Sequence, residues 1–192
     1  QTCALPIWPD ASLVAMANGF ISRSGSALSG FCLHNPDGLR KRIDEARHQG
    51  LPVFLLGVTF ALLDLVDAGF DFTGVSVMET GGMKGRRREI IREELRVRLQ
   101  NANPDRILSE YGMTELLSQA YSSGGKGYRQ PPTLRVVLRD VHDPFRPATG
   151  TGVINIIDLA NIHSCCFVET QDLGTFTPEG FEVLGRLDEI GR

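Results

Sequence analysis

Four short segments hold the side chains of this chain best suited to chemistry: ETGGMKG (Glu79–Gly85), EYGMTE (Glu110–Glu115), TQDLG (Thr170–Gly174) and GRLDE (Gly185–Glu189). In the first, Gly81 and Gly82 offer backbone without side chains, so that a flat ring or a phosphate can come close. An ordinary strand-to-helix turn uses the same pair. In the second, Tyr111 offers an aromatic face to a purine and Thr114 offers a hydroxyl to a phosphate oxygen. Glu115 offers a carboxylate to Mg²⁺, which takes one or two carboxylates together with substrate phosphates. The same two residues also read as a helix N-cap followed by a first-turn acid. In the third, Asp172 can accept both hydroxyls of a ribose, as an acid does in dinucleotide folds, or simply hold a turn. Arg186 in the fourth can lie along the surface or reach that ribose. Arg86, Arg87 and Arg88 open the helix after the glycine pair, against the helix dipole, as a solvated basic face or beside an anion.

Such residues need strand ends and turns to hold them, and the chain supplies both. Asn35-Pro36 starts a helix, with Leu39, Ile43 and Ala46 at helical spacing and Gly50 as its stop. Val53–Val58 is nearly all apolar, as in a parallel strand covered on both faces. Thr59 is placed to cap a helix over Phe60–Ala68. Val75–Glu79 reads as a strand, and Arg87–Gln100 as a helix with Ile91, Leu95 and Leu99 on one stripe and Glu94–Arg98 as an i,i+4 pair. Ile107–Ser109 follows as a strand and Thr114–Tyr121 as a helix. This alternation predicts an α/β fold with a mostly parallel sheet and right-handed crossovers. After the loop at Ser122, the runs Thr133–Leu138, Gly152–Asp158, Cys165–Glu169 and Phe181–Leu184 predict a small β-subdomain. The expected division is 8–129 for the α/β part with the glycine-pair and YGMTE segments, and 130–192 for the β part.

At 192 residues, 42% hydrophobic, with a net charge of −3, the chain can bury a sizeable core. That charge leaves no footprint for nucleic acid or an anionic membrane. No run approaches the ~20 apolar residues that span a bilayer. Cys3, Cys32, Cys165 and Cys166 form no CxxC, and the vicinal pair is a poor disulfide framework, so a reducing cytoplasm is expected. Cys165 and Cys166 read as buried small hydrophobes, and His163 as a structural histidine. Residues 1–7 back-translate to a widely used sequencing-adaptor end and are expected to be foreign to the fold. Both ends read as cut from a longer gene.

The order of the segments carries more than any one of them. A Gly-Gly, then YGMTE, then T-x-D, then GRxDE, with a β-subdomain between, resembles the adenylate-forming superfamily of acyl- and aryl-CoA synthetases, adenylation domains and firefly-type luciferases. The resemblance implies that Gly81 and Gly82 border an adenine, and that Tyr111 stacks on it with Gly112 in the same site. It also implies that Thr114 binds phosphate, Glu115 binds Mg²⁺, and Asp172 holds the ribose with help from Arg186. Asp188 becomes the hinge to a mobile C-terminal domain. VFLLGVTFALLDLVDAG, VMETGGMKGRRREI, ILSEYGMTELLSQAY and IIDLANIHSCCFVETQDLG look more narrowly like the acyl-protein synthetase family. Its best-known members activate fatty acids for the aldehyde-forming complex of luminous bacteria. That resemblance runs from about Leu51 to Arg192. Gln171 departs from the wider superfamily, which usually has Gly before the Asp.

What the resemblance implies is a part of an ATP- and Mg²⁺-using ligase. It would act on a fatty acid or other carboxylic acid and pass the acyl group to a thiol, which is an enzyme Cys, a carrier or CoA. An acyl reductase is an implied partner. Thr114 and Glu115 would be its catalytic pair. The Ser/Thr/Gly-rich loop for the ATP β- and γ-phosphates is expected upstream, because Ser22–Gly30 sits too near Gly81. An aryl-CoA ligase of the phenylacetate type is the enzyme alternative. A non-catalytic nucleotide-binding or partner-docking relic is the other.

Overall fold

A computed structural model describes residues 2–5, 12–33, 35–81, 92–125 and 127–187. The chain divides into two compact units between Ser109 and Glu110, earlier than the expected 129/130. The YGMTE residue Tyr111 packs with Tyr128 and Phe181, which draws that segment into the second unit.

The first unit is built on parallel strands in the order β2 (Gly30–Phe31), β1 (Thr2–Leu5), β3 (Val53–Gly57), β4 (Val75–Glu79) and β5 (Arg106–Tyr111). Thr2–Leu5, expected to be foreign to the fold, is instead an inner strand with Cys3 wholly buried. Between the strands run α1 (Ser12–Ser24), α2 (Pro36–His48), α3 (Thr59–Asp67) and α4 (Arg92–Gln100). Strand β3 has helices on both faces. Val53 and Leu55 pack into a cluster with Leu39 and Ile43 of α2, Leu62 and Leu63 of α3, and Leu95 and Leu99 of α4, whereas Leu56 packs with Ala17 of α1. That is why β3 reads as a continuous apolar run.

Helix α2 starts as its sequence predicts. The Asn35 side chain accepts from Gly38 N at 2.7 Å, and Pro36 occupies the first turn. Thr59, by contrast, is no cap. Val58 holds that position without a side-chain bond, and the Thr59 hydroxyl goes to Glu79 instead. On α4, Arg98 donates to Asp67 of α3, a partner the expected Glu94–Arg98 spacing did not suggest. The expected Ile91 stripe position, Gly82, Arg86–Arg88 and Asp188 lie outside the described residues.

The second unit carries an antiparallel sheet in the order β10 (Gly180–Arg186), β9 (Phe167–Thr177), β8 (Thr151–Asp158) and β7 (Leu134–Arg139). Leu134, Val136 and Leu138 alternate inward along β7, joining Ile154, Ile156, Tyr128 and Phe181 in one core. Such alternation marks a sheet buried on one face. The expected helix over Thr114–Tyr121 is absent. Thr114 and Glu115 lie in a turn, and Ala120–Ser123 forms a strand, β6. The amides of Leu117 and Ser118 bind the Asp158 carboxylate, which removes them from an i→i−4 ladder. Cys165 is exposed and Cys166 half-buried, both ahead of β9, so neither is the buried apolar residue expected. The Cys165 carbonyl accepts from Asn161 Nδ2 at 3.0 Å, and β9 begins at Phe167. His163 is exposed.

Candidate functional site

Tyr111, at the end of β5, belongs to the second unit, and its side chain packs in that unit's own core. It is 8% exposed, with its ring 5.6 Å from that of Tyr128 and edge-on to Phe181 at 5.3 Å. Its hydroxyl donates to Asp172 Oδ2 at 2.8 Å. Burial, the Asp172 charge and this hydrogen bond all favour the neutral phenol, so its pKa lies well above the ordinary tyrosine value.

Asp172 lies near the centre of the 11-residue strand β9, not in a turn between two strands. Its own N–H donates to Thr170 Oγ1 at 3.1 Å, and the Thr170 hydroxyl donates to Ile154 O at 2.6 Å. The T-x-D spacing therefore has a local reason: the Thr ties the strand beside the Asp to β8. A bulge between Val183 and Gly185 shifts the β9–β10 register so that Arg186 pairs with Asp172. Bulges commonly re-aim one side chain in this way. Arg186 Nη2 donates to Gln171 Oε1 at 2.9 Å. The Gln that departs from the wider superfamily thus holds the arginine expected to assist at the ribose.

Thr114 and Glu115 occupy the two central positions of a turn closed by Leu116 N to Met113 O at 3.1 Å, and both are exposed. Leu116 behind them is buried. A Cβ at Gly112 would meet Gln119 Cγ at 3.2 Å and Glu110 Oε1 at 3.4 Å. The return of the loop is therefore close enough to favour glycine there. The exposed hydroxyl and carboxylate are hard oxygen donors, a set that suits Mg²⁺ held jointly with a substrate's phosphates. Among the described residues, no group of three or more His, Cys, Asp or Glu could hold a metal.

Beneath that turn is Asp158, which was not singled out from the sequence. It is wholly buried at the end of β8. Its Oδ2 accepts from Leu117 N at 2.8 Å and Ser118 N at 3.0 Å, and its Oδ1 accepts from Ser118 Oγ at 2.6 Å and Ala160 N at 3.1 Å. Burial alone would raise its pKa. The Ser118 hydroxyl and the amides of Ser118, Leu117 and Ala160 outweigh this and hold it below the usual carboxylate value. Asn161 Nδ2 donates to Glu115 O at 2.7 Å. An acid at the end of an apolar strand, in INIIDLAN, is the signal that marks Asp158.

In the first unit, Gly81 follows β4 with φ +63°, a conformation glycine adopts freely. Glu79 is buried, and its Oε1 accepts from Thr59 Oγ1 and from Gly81 N, both at 2.9 Å. The backbone at Gly81 is thus pinned by a buried carboxylate. Thr59 and Glu79 were also missed as members of this group.

No family model matches the chain, and no curated protein sequence matches it. Solved structures do. An amide bond synthetase from Marinactinospora thermotolerans covers 97% of this chain with 41% of its own, at a TM-score of 0.68 and 15% identity. The chain thus shares its fold, a mostly parallel α/β sheet followed by a small antiparallel sheet, with part of that enzyme. The O-succinylbenzoate coenzyme A synthetase of Bacillus subtilis, solved with ATP and a magnesium ion, matches at a TM-score of 0.65 and 15% identity, over 97% of this chain and 42% of its own. An artificially fused adenylation–PCP di-domain from Klebsiella oxytoca matches at 0.65 and 14% identity, over 97% and 43%. The chain therefore spans about two fifths of the length of these enzymes. Among the described residues, no helix is long and apolar enough to cross a membrane.

Proposed function

We propose that this chain is the nucleotide-reading part of an ATP-dependent, fatty-acid-activating acyl-protein synthetase. The observation that supports it best is the meeting of Tyr111 with Asp172, which brings two of the four chemistry-bearing segments together at 2.8 Å. The narrower family assignment rests on the resemblance of the quoted segments. The adenylate-forming fold supports acyl adenylation in general.

By the resemblance, Gly81 and Gly82 would border the adenine, and Tyr111 and Gly112 would serve nucleotide binding. Asp172 would accept the ribose hydroxyls, with Arg186 beside it. Thr114 would bind the α-phosphate and Glu115 the Mg²⁺, which neutralises phosphate charge when bound. The substrate carboxylate oxygen forms a bond to the α-phosphorus. The bond from that phosphorus to the β-phosphate bridge breaks, and pyrophosphate leaves with the electron pair. A thiolate then attacks the acyl carbonyl and AMP leaves. Positioning and charge neutralisation are the main sources of rate in such transfers. Asp188 would be the hinge to a mobile C-terminal domain. We assign the reaction to the reducing cytoplasm, with an acyl reductase as a partner.

The likeness to O-succinylbenzoate coenzyme A synthetase favours a second reading, an aryl-CoA ligase of the phenylacetate type. The deciding experiment is ATP–pyrophosphate exchange by the full-length protein with fatty acids, phenylacetate or no acid. Exchange stimulated by fatty acids is expected. Stimulation by the aryl acid alone favours the ligase. ATP binding without exchange would leave only a nucleotide-binding or docking role.

A further inference from the structure

The Gly112–Gln119 loop has little regular structure of its own, yet it presents Thr114 and Glu115. Two side chains of the β8 end and the turn after it grip it. Asn161 takes the carbonyl of Glu115 itself, and two and three residues on, the amides of Leu117 and Ser118 converge on one oxygen of buried Asp158. The other Asp158 oxygen takes the Ser118 hydroxyl at 2.6 Å. A carboxylate only accepts, so the single Ser118 proton is committed to it. Thr133 Oγ1, 2.7 Å from Ser118 Oγ, must then be the donor in that pair. The direction of every proton in this group is fixed, and with it the course of the backbone on both sides of buried Leu116.

We propose that Asp158 and Asn161 are positioning residues, which clamp the 114–118 loop and thereby set the direction of the Thr114 hydroxyl and the Glu115 carboxylate. The consequence for nucleotide binding rests on the reading of Thr114 and Glu115 as phosphate and metal ligands. The clamp itself does not. Hydrogen bonds from neutral donors to a buried charge are the strong ones, and an unpaired buried carboxylate is costly. The loop and Asp158 therefore hold each other.

The test uses Asp158→Asn, Ser118→Ala and Asn161→Ala in the full-length protein, with two readouts. Site-resolved amide exchange compares Leu117 and Ser118 with Ile156 in the β8 ladder. Calorimetry compares ATP affinity with and without Mg²⁺. For Asp158→Asn, loop-amide exchange should rise about tenfold or more, the scale of one charge-assisted hydrogen bond, with Ile156 unchanged. Affinity for ATP with Mg²⁺ should fall about tenfold, and for ATP alone by less. Ser118→Ala should move both readouts the same way, and it carries the test if Asp158→Asn fails to fold. Loop amides that stay protected, or that loosen only together with Ile156, would overturn the clamp. Unchanged affinity for ATP with Mg²⁺ despite loosened loop amides would overturn its functional consequence. Loosened loop amides in a protein whose wild type binds no ATP would leave the clamp standing and remove the nucleotide reading.

Discussion

Tyr111 and Asp172 stand 61 positions apart in sequence, yet the tyrosine hydroxyl donates to the aspartate Oδ2 at 2.8 Å. The tyrosine is buried between two aromatic rings and the aspartate is half-buried. A phenol and a carboxylate joined there fix one another's orientation. One oxygen of the Asp172 carboxylate is thereby engaged by that hydroxyl.

Asp172→Ala in the full-length protein should raise the apparent KM for ATP while the fold persists. A carboxylate accepting two ribose hydroxyls makes charge-assisted bonds, and their loss weakens binding by about ten- to a thousand-fold. ATP titration, with thermal unfolding as control, measures this. Unchanged affinity in a folded variant would remove Asp172 from the site.

The Tyr111 phenol should stay protonated when exposed tyrosines ionise, at about pH 10. Its pKa is raised in the folded state, by burial first and then by the Asp172 charge. Its contribution to stability is therefore complete below the unfolded value and is lost as pH rises through the folded one. Ultraviolet titration of wild type and Tyr111→Phe gives the answer. The two should differ only at pH values where the protein unfolds. A Tyr111 signal in the ordinary range would contradict the buried geometry.

Glu79 depends on donors from two directions. Thr59→Val removes the hydroxyl at 2.9 Å and should cost about 1.5–3 kcal/mol, as expected for a bond to a buried charge. Gly81→Ala places a side chain at φ +63° and should cost about 1–2 kcal/mol. A Cβ there meets nothing within 4 Å, so the cost is one of backbone conformation alone. Denaturant unfolding measures both. A neutral Thr59→Val would show that Glu79 is satisfied from elsewhere.

The chain expressed by itself should not catalyse ATP–pyrophosphate exchange with any fatty acid. It matches only 41–43% of the length of the synthetases that share its fold. Radiolabelled pyrophosphate incorporation above a boiled control would refute this.

Much of the architecture is legible in the residues because the signals are local. The apolar run Val53–Val58, the Asn35-Pro36 helix start and the inward alternation of Leu134, Val136 and Leu138 each state their element from within a few neighbours. The order of YGMTE and T-x-D likewise marked Tyr111 and Asp172, which the fold brings together. What the sequence alone misjudged depends on partners far along the chain. Thr114–Tyr121 has a helical pattern, but a carboxylate 40 and 41 positions away takes the Ser118 and Leu117 amides, and the segment becomes a turn and a strand. Thr59 sits where a cap should be, but a buried acid 20 positions on claims its hydroxyl. Asp172 has turn-like neighbours, but β9 pairs with β10 at Asp172 itself and with β8 on either side of it, which leaves it in the middle of a strand with Arg186 opposite. Propensity and periodicity are short-range preferences of about a kcal/mol or less per residue. A buried charge that must be satisfied outweighs them, and only the tertiary structure decides which backbone groups satisfy it.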